Sequence, residues 1–136
     1  MRHLFPMALL LLALIPCRAQ SGSGREPIRE ITPQELSMEL AQPSRAGLSV
    51  RVIDVNEPDS YAEAHVPGAI LLVYDAIRAA DLPADKSSPL VFYCWSAECP
   101  AAETAAQSAL KLGYTDVSCM KTGITGWRDA GLPTEP

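Results

Sequence analysis

The residues in this chain best suited to chemistry are Cys94 and Cys99, five positions apart within the stretch Pro89 to Leu112. Ahead of them, Leu90-Val91-Phe92-Tyr93 is an unbroken apolar run rich in aromatic and branched residues, the pattern of a strand covered on both faces. Behind them, Pro100 suits the first turn of a helix, where its missing N–H would be unpaired anyway, and Glu103 suits the positive end of the helix dipole. Ala101, Ala102, Ala105, Ala106, Ala109, Leu110 and Leu112 continue that helix with small residues that allow close packing on a sheet. Cys94 is therefore expected at the carboxyl end of a strand, facing a helix N-terminus. Open α/β sheets place their ligands there, and loop and helix N–H groups stabilise an anion such as a thiolate. The competing reading of Cys94 is a small buried hydrophobe that closes a strand.

The elements that must position this junction follow from the rest of the chain. Ile28 to Ile31 predicts a short edge strand, and Thr32-Pro33-Gln34-Glu35 carries the N-cap, the first-turn proline and the glutamate of a capping box for a helix reaching about Leu40. Val50 to Val55 predicts a second strand ending in a carboxylate, Glu57 to Ala64 a short helix, and Ile70 to Val73 a third strand. Asp75 to Ala80 predicts one or two helical turns, and Leu82 to Pro89 a surface loop. After the cysteine loop and its helix, Gly113 is the stop, Asp116 to Met120 the fifth strand, and Gly123 to Trp127 the lead into a final helix. Strands alternating with helices at this spacing give an α/β fold, a doubly wound, mostly parallel five-stranded sheet flanked by helices.

Composition narrows the function classes. Met1 to Ala19 has a basic start, an apolar run from Leu4 to Ile15 too short to span a bilayer, and a small residue at Ala19, the features of a secretory signal peptide. Pro16 before Cys17 argues against a lipid-attachment site. The expected organisation is residues 1–19 signal peptide, 20–27 flexible lead-in and 28–133 a single domain, exported to the periplasm or secreted, and off the membrane once the signal is removed. The chain holds 11 Lys and Arg against 16 Asp and Glu, and loss of Arg2 and Arg18 with the signal makes it more acidic still. An acidic domain without a basic cluster is a poor partner for nucleic acid or an anionic membrane. Of four cysteines, Cys17 leaves with the signal, and three are too few for a disulfide framework. No metal cluster, phosphate loop or other cofactor motif is present, so no cofactor is expected.

Three separated stretches then carry a resemblance. Val52-Ile53-Asp54-Val55 through Tyr61, Glu63 and His65-Val66-Pro67-Gly68-Ala69-Ile70 is similar to the Asp-Val-Arg, Glu-Tyr, Gly-His-Ile-Pro-Gly-Ala signature of the rhodanese-like family of single-domain sulfurtransferases. The strand ending in Cys94 is the second stretch, and Gly123-Ile124 to Trp127 with Gly131-Leu132-Pro133 the third. Together they cover nearly all of residues 28–133. The departures are Asn56 in place of the signature's arginine, Ala64 and Thr122 in place of glycines, and a loop, Cys94-Trp95-Ser96-Ala97-Glu98-Cys99, that has a glutamate and a second cysteine but no cation. These changes argue against efficient handling of anionic thiosulfate and leave the nucleophile in place.

The resemblance implies a thiolate at Cys94 that takes sulfane sulfur from a small donor, holds it as a persulfide and passes it to a thiol acceptor, free or on an exported protein partner. It implies that the loop Trp95, Ser96, Ala97 and Glu98 binds substrate, its N–H groups cradling the outer sulfur. Ser96 is either a ligand of that sulfur or an ordinary turn hydroxyl, and Trp95 either walls the pocket or covers the sheet. Cys99 is read as a resolving thiol, with packing at the helix start as the alternative; a disulfide to Cys94 needs a Cα separation of about 4.4–6.8 Å, which spacing does not fix. Asp54 and His65 are read as supports of loop conformation, and Lys121 as a source of the missing cation or a solvated surface lysine. Cys119 is read as core packing. The function expected first is sulfur transfer; the alternatives are thiol–disulfide exchange through Cys94 and Cys99, or a rhodanese-fold binding module with weak turnover.

Overall fold

The computed structural model describes residues 28–44 and 47–136, so the expected signal peptide and the whole of the lead-in lie outside the described residues. The elements are β1 (Arg29–Glu30), α1 (Pro33–Ala41), β2 (Arg51–Asp54), α2 (Pro58–Glu63), β3 (Ile70–Leu71), a 3-10 turn (Ala79–Asp81), β4 (Leu90–Tyr93), α3 (Ala101–Lys111), β5 (Val117–Met120) and α4 (Gly123–Asp129). The capping box expected at α1 is formed: the Glu35 N–H donates to the Thr32 hydroxyl, and the Thr32 N–H to the Glu35 carboxylate at 2.8 Å.

The five strands form one sheet in the order β1-β5-β4-β2-β3, with every pairing parallel. Its central strands are covered on both faces, which is why they read as continuous apolar runs. Leu90 and Phe92 of β4 face one core with Ile53, Cys119 and the alanines of α3. Val91 and Tyr93 face the other, with Leu36 of α1 and Ile124 and Trp127 of α4. The small residues Ala102, Ala105, Ala106 and Ala109 are all buried and let α3 lie close on β4 and β5.

Strand order also locates the site. From β2 the chain crosses through α2 to β3 on one side, and from β4 it crosses through α3 to β5 on the other. The connections diverge between β2 and β4, and such a switch point opens a crevice at the carboxyl ends of the two strands. Asp54 and Tyr93 are paired across it, and Cys94 follows directly.

Two elements differ from expectation. β3 ends at Leu71, beyond which Leu72 makes one more bond, its N–H to the Asp54 carbonyl at 3.0 Å, and Val73 points into solvent, as an edge strand with one neighbour allows. Asp75 to Ala80 makes no α-helix. Arg78 is extended, with φ −117° and ψ 152°, which interrupts the run, and the one ordered turn, Ala79–Asp81, is closed by the Asp81 carboxylate on the Arg78 N–H and guanidinium.

Candidate active site

Cys94 is held by its backbone before its sulfur is considered. The Ile124 N–H donates to the Cys94 carbonyl at 2.9 Å and the Thr125 N–H to the Trp95 carbonyl at 3.1 Å, so the first turn of α4 grips the start of the loop. This approach requires Gly123. Its φ is +65°, and a Cβ there would lie 2.5 Å from the Trp95 carbonyl carbon and 2.6 Å from the Cys94 oxygen. The loop then turns, with Cys99 N–H on the Ser96 carbonyl at 3.1 Å, and delivers Cys99 to the start of α3. The Cys94 and Cys99 sulfurs are bonded, with the Cα atoms 6.3 Å apart. Cys94 is buried, whereas Cys99 is half-buried.

A cavity of about 240 Å³ opens on this pair, lined by Cys94, Ser96, Ala97, Glu98, Cys99 and, from the helix, Pro100, Ala102 and Glu103, with Cys119 and Lys121 from the end of β5. The register explains the β5 contributions. Phe92 pairs with Cys119 and Tyr93 with Met120, which puts Cys119 on the sheet face that Cys94 shares and Lys121 beside Cys94. The Lys121 ammonium is 3.3 Å from the Glu30 carboxylate. The Ser96 hydroxyl donates to Glu98 at 2.7 Å, so its one proton is committed within the loop. That bond, with the Glu98 N–H, holds the Glu98 carboxyl below the usual carboxylate range.

The Trp95 side chain is not among the cavity's lining residues; it is 41% exposed, turned outward by the grip on its own carbonyl. Asp54 lies beneath the site. One carboxylate oxygen accepts the Asn56 N–H at 2.7 Å, while the other and the Asn56 amide nitrogen are buried without an ordinary hydrogen bond. Burial pushes the Asp54 carboxyl up, against the opposing pull of the adjacent Tyr93 phenol and Asn56. The Tyr93 phenol, itself pushed well up by burial and then by the Asp54 charge, accepts the Val66 N–H at 3.0 Å and so ties the crevice to the turn after α2. His65 is buried in that turn, stacked on Tyr61 at 3.9 Å with Nδ1 2.9 Å from the Tyr61 carbonyl, and paired by backbone to Glu135. It does not line the cavity.

Glu103 and Cys119 join the cavity although the sequence pointed to neither as a site residue. Glu103 follows Cys99 by one helical turn, a spacing that is visible in the sequence. Cys119 depends on lateral register, which is not. Burial, followed by the Glu103 charge, pushes its thiol up to about 11. Among the described residues, no grouping of His, Cys, Asp or Glu could hold a metal ion, and no helix is long and apolar enough to cross a membrane.

Known proteins share this architecture and about a third of the residues over the matched stretch. Thiosulfate sulfurtransferase GlpE of Pseudomonas paraeruginosa is 33% identical over 71% of this chain and 86% of its own length. An HTH-type transcriptional regulator of Mycobacterium tuberculosis is 34% identical over 71% of this chain but only 42% of its own length, so the shared unit also occurs within a larger protein. Among solved structures, the BH2092 protein of Bacillus halodurans superposes with a TM-score of 0.68 at 27% identity, over 79% of this chain and 76% of its own. A thiosulfate sulfurtransferase from Pseudomonas aeruginosa superposes with a TM-score of 0.63 at 26% identity, over 82% of this chain and 20% of its own. The Rhodanese-like domain family matches residues 32–130, which takes in the β2/β4 crevice, the cysteine loop and the glycine that grips it, and the chain belongs to that family.

Proposed function

We propose that the protein is an exported sulfurtransferase that moves sulfane sulfur through a persulfide on Cys94, with Cys99 as resolving thiol. The observation that carries the proposal is the placement of both cysteines, their sulfurs bonded to each other, in the wall of one cavity at the carboxyl ends of β4 and β5. Membership of a family whose relatives include named thiosulfate sulfurtransferases supports the same class. Export rests on the composition of residues 1–19.

The cycle begins with the Cys94–Cys99 bond. An external thiolate attacks the more accessible Cys99 sulfur, forms a mixed disulfide there and expels Cys94 as a thiolate. A second thiolate completes the reduction and frees Cys99. The Cys94 thiolate then attacks the outer sulfur of a donor, the donor's remaining fragment leaves with the bonding pair, and Cys94 carries one extra sulfur. An acceptor thiolate takes that sulfur and returns Cys94 as a thiolate. Alternatively the Cys99 thiolate attacks the Cys94 sulfur, expels sulfide and restores the disulfide. No general base is required, because each attacking group is already an anion.

The Cys94–Cys99 bond itself favours a second reading, thiol–disulfide exchange without sulfur transfer. Treatment of the reduced protein with an organic persulfide separates the two. A sulfurtransferase releases sulfide and gathers the Cys94–Cys99 disulfide, and Cys99→Ser retains an adduct of one sulfur atom. A dithiol redox protein forms the disulfide with a simple oxidant and never binds sulfur, and that result would overturn the proposal.

A further inference from the structure

The charge around the cavity is of one predominant sign. Two carboxylates, Glu98 from the loop and Glu103 from the first turn of α3, line it against one ammonium, Lys121. That ammonium is shared with a carboxylate outside the cavity, Glu30, at 3.3 Å. Glu98 is fixed as an anion by the Ser96 hydroxyl, so the loop that a dianion would have to approach presents a negative charge and no arginine or lysine. The buried thiol of Cys119, in the wall of the same cavity, responds to this field. Among the charges acting on it, Glu103 disfavours its anion more than Lys121 favours it, and Glu30 adds to the first. The cavity counts as a site on separate grounds, since the Cys94–Cys99 bond opens into it.

We infer that this cavity selects thiols and sulfur donors that bring an ammonium group to Glu98 and Glu103, and discriminates against dianionic donors such as thiosulfate. The inference rests on the sulfur-transfer reading for the donor, but the selection applies equally to any thiol that reduces the disulfide. An aminothiol places its cation on the rim carboxylates while its sulfur reaches Cys99. Its thiolate charge, which the cavity opposes, is offset within the same molecule. Thiosulfate brings two negative charges and no such offset. Glu98 and Glu103 are then the residues that set specificity, and Lys121, held by Glu30, tempers the field without reversing it.

The test uses three thiols of matched length, cysteamine, 2-mercaptoethanol and 3-mercaptopropionate, as reductants of the Cys94–Cys99 disulfide in the full chain. Rates are expressed per thiolate and normalised to those on a small neutral disulfide, which removes intrinsic reactivity. Charges several ångströms apart near a surface predict a preference of about 10-fold for the ammonium thiol over the carboxylate thiol at low ionic strength, falling to about 3-fold near 0.5 M salt. Glu103→Gln should cut the low-salt preference about threefold. Asp116→Asn, which makes the same change of net charge at the amino end of β5, should leave the preference intact. A preference absent in the wild type, or reduced equally by Asp116→Asn, would overturn the inference. A second arm loads the reduced Cys99→Ser protein, in which no resolving thiol can expel the sulfur as sulfide, with cysteamine persulfide or thiosulfate and counts sulfur on Cys94 by mass spectrometry. Faster loading from thiosulfate overturns charge selection and leaves sulfur transfer standing; a preserved thiol preference with no loading from either donor overturns sulfur transfer and leaves charge selection standing.

Discussion

Gly123→Ala is the substitution whose cost can be worked most fully from the structure. The added Cβ would stand 2.5 Å from the Trp95 carbonyl carbon and oxygen and 2.6 Å from the Cys94 oxygen, about an ångström inside ordinary contact. These are backbone atoms, so no rotamer change relieves them. Alanine at φ +65° costs about 1–2 kcal/mol on conformation alone, partly offset by about 0.5–1 kcal/mol from the stiffer unfolded chain. Relieving the clash means drawing α4 and the loop apart, which strains or breaks the bonds from Ile124 N–H and Thr125 N–H, each contributing about 1 kcal/mol. The total is about 3 kcal/mol, out of a domain stability of about 5–15 kcal/mol. Gly131→Ala is the matched control: φ is +72° but nothing lies within 4 Å, so only the conformational part, about 1 kcal/mol, remains. Thermal unfolding should separate them, with losses of about 10 °C and about 4 °C. Because the displaced segment begins at Cys94, Gly123→Ala should also change the rate at which dithiothreitol reduces the Cys94–Cys99 bond. Equal melting of the two variants, with an unchanged reduction rate, would refute the argument that α4 sets the loop.

Three further outcomes are expected. Cys119, with its thiol pushed up to about 11 and its side chain buried, should resist iodoacetamide at pH 8 in the native protein and react on unfolding; rapid native labelling would contradict its placement. Asp54 has a folded pKa raised by burial, so its contribution to stability is present in acid and is lost as pH rises through that pKa; urea titrations should show Asp54→Asn gaining on the wild type toward neutral pH and the gain fading in acid. Removing residues 134–136 deletes the paired backbone bonds between His65 and Glu135, at 2.8 and 2.9 Å, and should cost about 2 kcal/mol in chemical denaturation while Cys94 and Cys99 still form their disulfide.

The central strands and α3 were legible in the sequence because burial on both faces writes itself as continuous apolar runs, and a close-packed helix as a run of alanines. Cys94 was legible for the same reason, since the end of a buried strand is an identifiable place. What depended on partners was not. Val73 continues an apolar run yet finds no ladder at the sheet edge, and Asp75 to Ala80 has helical composition but is interrupted at Arg78, which is extended and engaged by Asp81. Cys119 was readable as a core residue, but its share in the cavity follows from the Phe92 pairing, a lateral fact absent from the chain's own order. Ser96 and Trp95 each allow two readings in the sequence, because neither the bond from the Ser96 hydroxyl to Glu98 nor the outward turn of the indole, with α4 holding the adjacent carbonyl, is written in the local pattern.

Whether Cys94 carries the transferred sulfur is read by peptide mapping with mass spectrometry. The reduced Cys99→Ser protein, exposed to an organic persulfide and digested without reductant, should show one added sulfur atom on the peptide containing Cys94 and none on the peptide containing Cys119. Added sulfur found on Cys119, or on no cysteine at all, would contradict the account.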